Sequence, residues 1–123
     1  MSPRSGEFMA SALERLATAR AALPAGPAGA VSSAYYAVFY AARAALSERD
    51  RYAKTHSGTW HLFHEQFVVT GEFGVDLHSA AAGLQQRREA ADYDAATMTQ
   101  AEAAELIAVA ERFVAAVRTL LGD

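Results

Sequence analysis

Apolar residues recur along most of the chain at the three- and four-residue spacing of a helix, and no stretch shows the alternation of a strand. This spacing predicts five helices, at residues 9–23, 33–46, 55–70, 75–91 and 100–121. Alanine is abundant in these segments, and it combines a high helix propensity with a side chain small enough for close packing. The predicted fold class is all-α, an antiparallel up-and-down bundle of about five helices.

The second predicted helix, residues 33–46, is apolar on nearly every face, so we expect it to be the central one. Segment 24–29 contains two prolines and two glycines, which end the helix before it. Ser32 or Ser33 is then the expected N-cap of the second helix, with a start near Gly29 as the alternative.

Later helices carry their own start and stop signals. Thr55 or Ser57 is the expected N-cap of the third helix, and Gly71 follows its predicted end. Thr99 and Glu102 have the spacing of a capping box, which marks the start of the last helix.

The first eight residues are polar and contain proline and glycine, and a second methionine, Met9, follows them. We therefore predict that residues 1–8 are a disordered leader or one added by cloning, and that residues 9–123 form one helical domain. A chain of 123 residues is long enough for one core.

Composition narrows the possible functions. The absence of cysteine excludes disulfides, thiolate metal sites and a cysteine nucleophile. No apolar run reaches the ~18 residues that span a bilayer and no signal peptide is visible, so we expect a cytoplasmic protein without a membrane partner. With a net charge of −3, any binding of nucleic acid must depend on a local basic patch.

Three segments together resemble the HEPN domain family (higher eukaryotes and prokaryotes nucleotide-binding). They are residues 34–44 (AYYAVFYAARA), 54–58 (KTHSG) and 87–94 (RREAADYD). The resemblance implies a helical bundle that forms a homodimer and that often pairs with a small nucleotidyltransferase in toxin–antitoxin modules. It also implies RNA or nucleotide as a ligand, with no cofactor and no metal.

In catalytic members of that family, an Arg, four to six intervening residues and a His form a metal-independent RNase site. Counted from Arg87 or Arg88, the His would fall within residues 92–95, which are Asp, Tyr, Asp and Ala. An ordinary carboxylate is a poor proton donor at neutral pH. Some toxins of the family carry a Tyr that the partner enzyme modifies, and Tyr93 is offset by one residue from that spacing. Whether the chain is an enzyme stays open; if active, it would be a metal-independent endoribonuclease.

The tentative catalytic set is Arg87, Arg88, Asp92 and His56. Arg88 and Asp92 are four residues apart, so they form either an intrahelical ion pair or part of a ligand site. Arg87 could be a solvated edge residue or a phosphate ligand. His56 precedes the third helix, so it could serve as a local cap or supply the proton-transfer group that the motif lacks.

Other candidates complete the set of predictions. The tentative ligand-binding residues are Arg43, Lys54, Ser57 and Tyr93. The aromatic residues of the second helix could stack on bases, but on an apolar helix they are more often core or dimer interface; they are Tyr35, Tyr36, Phe39 and Tyr40. His61, His64 and Glu65 share one side of the third helix, where a polar face is expected rather than a metal site. The alternative function is a non-catalytic module that binds a nucleotidyltransferase.

Overall fold

The computed structural model describes residues 1–93 and 98–122, and of Tyr93 it describes only the backbone. In these residues there are five α-helices and no strand, which confirms the predicted all-α bundle. The helices are α1 (Pro3–Ala22), α2 (Pro27–Glu48), α3 (His56–Phe63), α4 (Val75–Tyr93) and α5 (Gln100–Leu120). A π-helical segment, His64–Val68, continues α3. No helix in the described part of the chain is long and apolar enough to cross a membrane.

Helix α2 lies at the centre of the bundle and contacts each of the other four helices. Its side chains are buried on several faces, as its nearly continuous apolar sequence predicts. They include two aromatic rings, Tyr35 and Phe39, and a series of alanines that allow close approach of the neighbouring helices.

Helix α2 begins six residues before the expected start at Ser33 and two residues before Gly29, so the alternative of an earlier start is nearer to the structure. Gly26 is its N-cap and Pro27 is its first residue, so Ser32 and Ser33 lie inside the helix and cap nothing. Proline is well suited to the first helical position, because its fixed φ is helical and the N–H it lacks would have no partner there. The proline that was expected to end one helix therefore starts the next.

Helix α1 begins at Pro3, whereas the sequence pattern placed its start at Met9. Ser2 is the N-cap, and its side chain accepts a hydrogen bond from the N–H of Ser5. The Ser5 hydroxyl is buried and donates to the carbonyl of Ala44 over 2.8 Å. Residues 3–8 are thus helical and packed on α2; that they were added by cloning stays a prediction.

Of the two possible caps for α3, the structure uses Thr55. Its Oγ1 accepts a hydrogen bond of 2.9 Å from the N–H of Gly58. A Cβ atom at Gly58 would come within 2.7 Å of this Oγ1, so the cap requires glycine there. Gly71 has a φ of +81°, as expected for a residue that terminates a helix, but the last turns before it are π-helical rather than α-helical.

The capping box of α5 is confirmed, since the Thr99 side chain accepts a 3.1 Å hydrogen bond from the N–H of Glu102. The buried side of α5 is broad. Ile107 and Val114 are fully buried, whereas Leu106 and Leu120 are only partly so. The reason is that α5 packs against α1, α2 and α4 together, which widens its contact face beyond a single helical stripe.

Candidate functional site

His56 is the first residue of α3, and its side chain contacts α2. Its Nδ1 lies 2.8 Å from the hydroxyl of Tyr35, and its ring stacks on Phe39 with the two centroids 4.2 Å apart. Because Thr55 supplies the N-cap of α3, the interpretation of His56 as a local cap is wrong. The histidine is free to take part in tertiary contacts instead.

The Tyr35 hydroxyl sets the state of the His56 ring. Burial raises the pKa of Tyr35 to about 12, so the phenol stays protonated at neutral pH and can donate to Nδ1. Burial also lowers the pKa of His56, and the positive charges of Arg88 and Arg43 lower it further, against a smaller opposing effect of Glu89. At neutral pH His56 is therefore mostly uncharged, and a Tyr35 hydroxyl that donates to Nδ1 would place the ring proton on Nε2.

Arg88 reaches the same place from α4. Its guanidinium carbon lies 5.8 Å from the ring centroid of Tyr35 and 5.2 Å from that of Tyr36, within range of cation–π attraction. Tyr36 also contacts His56, at 6.2 Å between ring centroids. Two aromatic residues of α2 therefore connect the histidine with the arginine. We call His56, Arg88, Tyr35 and Tyr36 the histidine–arginine cluster.

The predicted ion pair between Arg88 and Asp92 is present, with Nε and Oδ2 3.6 Å apart. At this distance the two atoms are too far apart for a good hydrogen bond. The Arg88 Nε is buried and donates to no acceptor among the described residues. Asp92 is exposed and lies beside the histidine–arginine cluster, where its charge opposes the approach of an anion.

A second buried donor lies close to the cluster. Trp60 Nε1 makes no well-formed hydrogen bond within the described part of the chain, but a weak hydrogen bond from it to the Tyr35 hydroxyl opposes the rise in the pKa of that group. Leaving a buried donor unsatisfied costs about 1–3 kcal/mol, so such groups are rare in native proteins. Because Trp60 has the Tyr35 hydroxyl within reach, the Nε of Arg88 is the donor near this tyrosine that an acceptor from outside can satisfy.

Arg87 is directed away from the cluster. It pairs with Glu102 of α5, with Nη2 and Oε2 3.2 Å apart, and about half of its side chain is exposed. Neighbouring residues on a helix are about 100° apart, so Arg87 and Arg88 cannot share a face. Of the two arginines in the predicted motif, only Arg88 lies near His56.

The remaining predicted ligand residues are placed differently. Arg43 is stacked among aromatic rings and is close enough to His56 to lower its pKa. Lys54 and Ser57 are exposed, and among the described residues neither side chain forms a hydrogen bond or ion pair with the cluster. The side chain of Tyr93 lies outside the described residues, so its predicted role stays a prediction.

The other three histidines make contacts of their own. His61 pairs with Glu65 over 3.0 Å on an exposed face, in keeping with the polar face expected there. His64 lies next to His78, with ring centroids 5.3 Å apart, a contact that the sequence did not predict. No group of three or more His, Asp or Glu side chains in the described residues is arranged to hold a metal ion.

The geometry of the histidine–arginine cluster suits an anion with several acceptor oxygens. The Arg88 guanidinium supplies charge and donors, His56 can supply an Nε2–H, and both side chains are half-buried. Tyr36 offers a half-buried ring beside them, on which a planar group can stack. A phosphate with an attached base has these properties.

Comparison with known proteins identifies the family. A model of the HEPN domain matches residues 6–120 of the chain. The chain belongs to the HEPN family. A UPF0332 protein of Gloeobacter violaceus is 36% identical to this HEPN chain over 86 residues, which is 68% of each protein.

Two proteins of Methanocaldococcus jannaschii, both named "Putative toxin", are also similar to it. One is 36% identical over 63% of this chain and 53% of its own length, and the other is 33% identical over 76% of this chain and 70% of its own. The chain thus spans about half the length of the first of these two relatives.

Sequence reasoning missed the parts of the site that depend on tertiary contacts. It assigned Tyr35 to the core, which is correct, but it did not find that the hydroxyl holds His56. It also did not predict that the indole of Trp60 lies beside the Tyr35 hydroxyl. The sequence did contain a signal for this site. Tyr35 and Trp60 each carry one polar atom at a core position, and a buried Tyr or Trp normally needs a hydrogen-bond partner.

Proposed function

We propose that this HEPN protein is an RNA-binding, toxin-like component of a toxin–antitoxin or defence module. It acts as a homodimer and holds phosphate groups of RNA with Arg88 and His56. The observation that carries the proposal is the buried Nε of Arg88, which has no hydrogen-bond acceptor in the described residues, near a half-buried histidine whose Nδ1 is engaged by Tyr35. The toxin names of two relatives support the biological setting.

Binding rather than cleavage is the proposed activity. The family's RNase motif would place four to six residues between the arginine and a histidine, and residues 92–95, where that histidine would fall, contain none. His56 is the histidine near Arg88, and burial lowers its pKa. If the Tyr35 hydroxyl donates to Nδ1, the ring proton lies on Nε2, which can then donate a hydrogen bond but offers no lone pair to act as a base. A donor without a matching base binds phosphate without activating the 2′-hydroxyl.

Fluorescence anisotropy with labelled single-stranded RNA, without divalent metal, tests the proposal. We expect saturable binding that Arg88→Ala weakens about tenfold, because it removes a charge-assisted contact. Arg87→Ala removes the same charge from the adjacent residue, and we expect it to weaken binding less than about twofold, because that side chain is exposed and paired with Glu102. Gel analysis of the same samples with tRNA and total RNA measures cleavage. Equal losses in the two variants, or no saturable binding, would refute the proposal.

The homodimer in this proposal rests on the outer face of α4. Ala80 and Ala90 are exposed there, and a Cβ atom added at Gly83 would meet nothing within 4 Å. A second helix can approach such a face closely. We expect light scattering to give the mass of two chains, and Gly83→Glu to reduce it to one. A mass of one chain for the unaltered protein at micromolar concentration would contradict the dimer.

The alternative is a non-catalytic module that binds a nucleotidyltransferase. It is supported by two apolar side chains at the connection between the π-helical segment and α4, Val69 and Val75, which are 70% and 55% exposed. We expect this protein to co-purify with a nucleotidyltransferase encoded beside it, and the double change of Val69 and Val75 to serine to abolish the complex. Retention of the complex in that variant would remove this surface from consideration.

A further inference from the structure

The Tyr35 hydroxyl lies inside the bundle and has two polar neighbours, both from α3. Tyr35 has no exposed surface and Trp60 is 5% exposed, so solvent does not reach the hydroxyl from the core side. One neighbour is the Nδ1 of His56, 2.8 Å away, and the other is the indole Nε1 of Trp60, which makes the weak hydrogen bond described above. The hydroxyl therefore distributes its hydrogen bonds between one imidazole and one indole.

The two neighbours differ in what they can offer to a hydroxyl. An indole N–H donates and cannot accept, whereas a neutral imidazole has one donor and one acceptor nitrogen. Burial raises the pKa of Tyr35 to about 12, so the phenol keeps its proton at neutral pH. A buried hydroxyl proton needs an acceptor. Among the described residues, the Nδ1 of His56 is the acceptor within its reach.

The contact with Trp60 has the effect expected of a donor to the phenol oxygen. It opposes the rise in the pKa of Tyr35, because a hydrogen bond to that oxygen favours the phenolate. A hydroxyl that accepts one hydrogen bond is also polarised into a better donor for the next. The indole thus strengthens the bond that the phenol donates.

We infer that Trp60 is a positioning residue of the histidine–arginine cluster, which acts through Tyr35 and leaves the Nδ1 of His56 as the acceptor for the phenol proton. The hydrogen bonds run in one direction, from Nε1 of Trp60 to the Tyr35 oxygen and from the Tyr35 hydroxyl to Nδ1. His56 then carries its own proton on Nε2, the nitrogen that remains for a ligand. This order holds with or without a ligand, and only its effect on RNA affinity rests on the proposed function.

The same order of hydrogen bonds opposes protonation of His56. An imidazolium carries a proton on both nitrogens, so its Nδ1–H would face the phenol O–H, and the phenol would have to turn away. The indole offers no acceptor to the turned hydroxyl. This effect adds to burial and to the charges of Arg88 and Arg43, which lower the pKa of His56, while Glu89 is the charged neighbour that acts in the opposite direction.

Replacement of the indole by 7-azaindole tests the inference. The sequence contains one tryptophan, so expression with 7-azatryptophan changes the Trp60 side chain alone. The analogue keeps the shape and the N–H and adds, beside the N–H, a ring nitrogen that can accept the phenol proton. ¹⁵N NMR of the His56 ring, without RNA, is the measurement. In the unaltered protein we expect the proton on Nε2. In the 7-aza protein we expect the ratio of the Nε2–H to the Nδ1–H tautomer to fall about fivefold, the net contribution of one neutral hydrogen bond, and the pKa of His56 to be higher.

The matched control is 5-fluorotryptophan, which keeps the N–H and adds no acceptor beside it, and a thermal scan checks that both proteins are folded. A proton on Nδ1 of His56 in the unaltered protein would overturn the inference, and so would equal tautomer ratios in the 7-aza and 5-fluoro proteins. A ratio that falls in the 7-aza protein alone supports it.

RNA affinity, measured by anisotropy on the same proteins, separates this inference from the proposed function. We expect the 7-aza protein to bind RNA about twofold more weakly, because a smaller share of its molecules presents the Nε2–H. If the tautomer ratio falls while the unaltered protein binds no RNA, the positioning role of Trp60 stands and the proposed function fails. If RNA binds at Arg88 and the tautomer ratio does not change, the proposed function stands and the positioning role fails.

Discussion

Two histidines of this protein, His56 and His78, have pKa values that are shifted in the same direction, but their surroundings differ. In both, burial is the main cause of a lowered pKa. His78 is 9% exposed and lies in the aromatic core, where its ring is nearly parallel to that of Phe63 and its Nε2 is 3.2 Å from the carbonyl of Trp60. His56 is half-buried at the edge of the bundle, between Tyr35 and two arginines.

The comparison teaches that a shifted pKa does not identify a functional histidine. The two histidines differ in the polar atoms that surround them. His78 is stacked among aromatic rings and its backbone acceptor belongs to the core, so it serves the packing. Near His56 the Nε of Arg88 has no acceptor within the described residues, and the Nε1 of Trp60 has only its weak hydrogen bond to Tyr35. Trp60 joins the two regions, since its carbonyl faces His78 and its indole lies near Tyr35.

Among the predicted effects, the largest should be the loss of stability when His78 or His56 is replaced by alanine. His78→Ala leaves a cavity among aromatic rings, and we expect it to lower the free energy of unfolding by about 2–4 kcal/mol. His56→Ala removes a half-buried ring, and we expect a loss of about 1 kcal/mol. Urea denaturation followed by circular dichroism measures both values. Similar losses in the two variants would show that His56 is also a structural residue.

The pH dependence of stability should reflect both histidines. Because their pKa values are lowered by folding, the unfolded chain binds more protons below pH 6.5, so this contribution to stability is complete above that pH and is lost as the pH falls through the folded pKa values. We expect the melting temperature to decrease from pH 7 to pH 5, and His78→Phe to reduce the slope. The glutamates with lowered pKa values, such as Glu111, act at lower pH, below about 4.5. A melting temperature that is constant from pH 7 to pH 5 would contradict the burial of the two rings.

Tyr35→Phe tests whether the phenol positions His56. It removes one buried hydrogen bond, so we expect a loss of about 1 kcal/mol in stability and about threefold in RNA affinity. The decisive readout is the ¹⁵N NMR spectrum of the His56 ring. In the wild type, the neutral ring should carry its proton on Nε2, and in the variant this preference should weaken. An unchanged tautomer ratio would mean that Tyr35 does not set the state of the ring.

The smallest expected effect concerns Asp92. Its carboxylate lies 3.6 Å from Arg88 and repels a phosphate bound there. Asp92→Asn removes that charge and keeps the shape, so we expect RNA affinity to increase about two- to fivefold at low salt. The matched control is Asp76→Asn in the first turn of the same helix, which should not change the affinity. A decrease in affinity on Asp92→Asn would show that the ion pair holds Arg88 in its binding position.

Features that depend on local sequence were largely predictable. The five helices, the Thr55 cap and the box formed by Thr99 and Glu102 follow from the spacing of a few neighbouring residues. The predicted N-cap of α2 at Ser32 or Ser33 was wrong, because Pro27 follows Gly26 and a proline can open a helix as readily as it ends one.

The contacts that make the site depend on tertiary structure. Sequence spacing placed Arg87 and Arg88 in the same motif, but the rotation of α4 turns one to Glu102 and the other to Tyr35 and Tyr36. Twenty-one residues separate Tyr35 from His56, and only the packing of α3 on α2 brings them together. No local pattern encodes a contact of that kind.

The most direct test of a shared phosphate site is a double-mutant cycle on RNA affinity. It compares the wild type with His56→Ala, Arg88→Ala and the double variant, each first shown to be folded. If both residues hold the same phosphate group, each single change should weaken binding and the double variant should lose clearly less than the product of the two losses. Losses that multiply, or an affinity that neither change affects, would contradict a common site at His56 and Arg88.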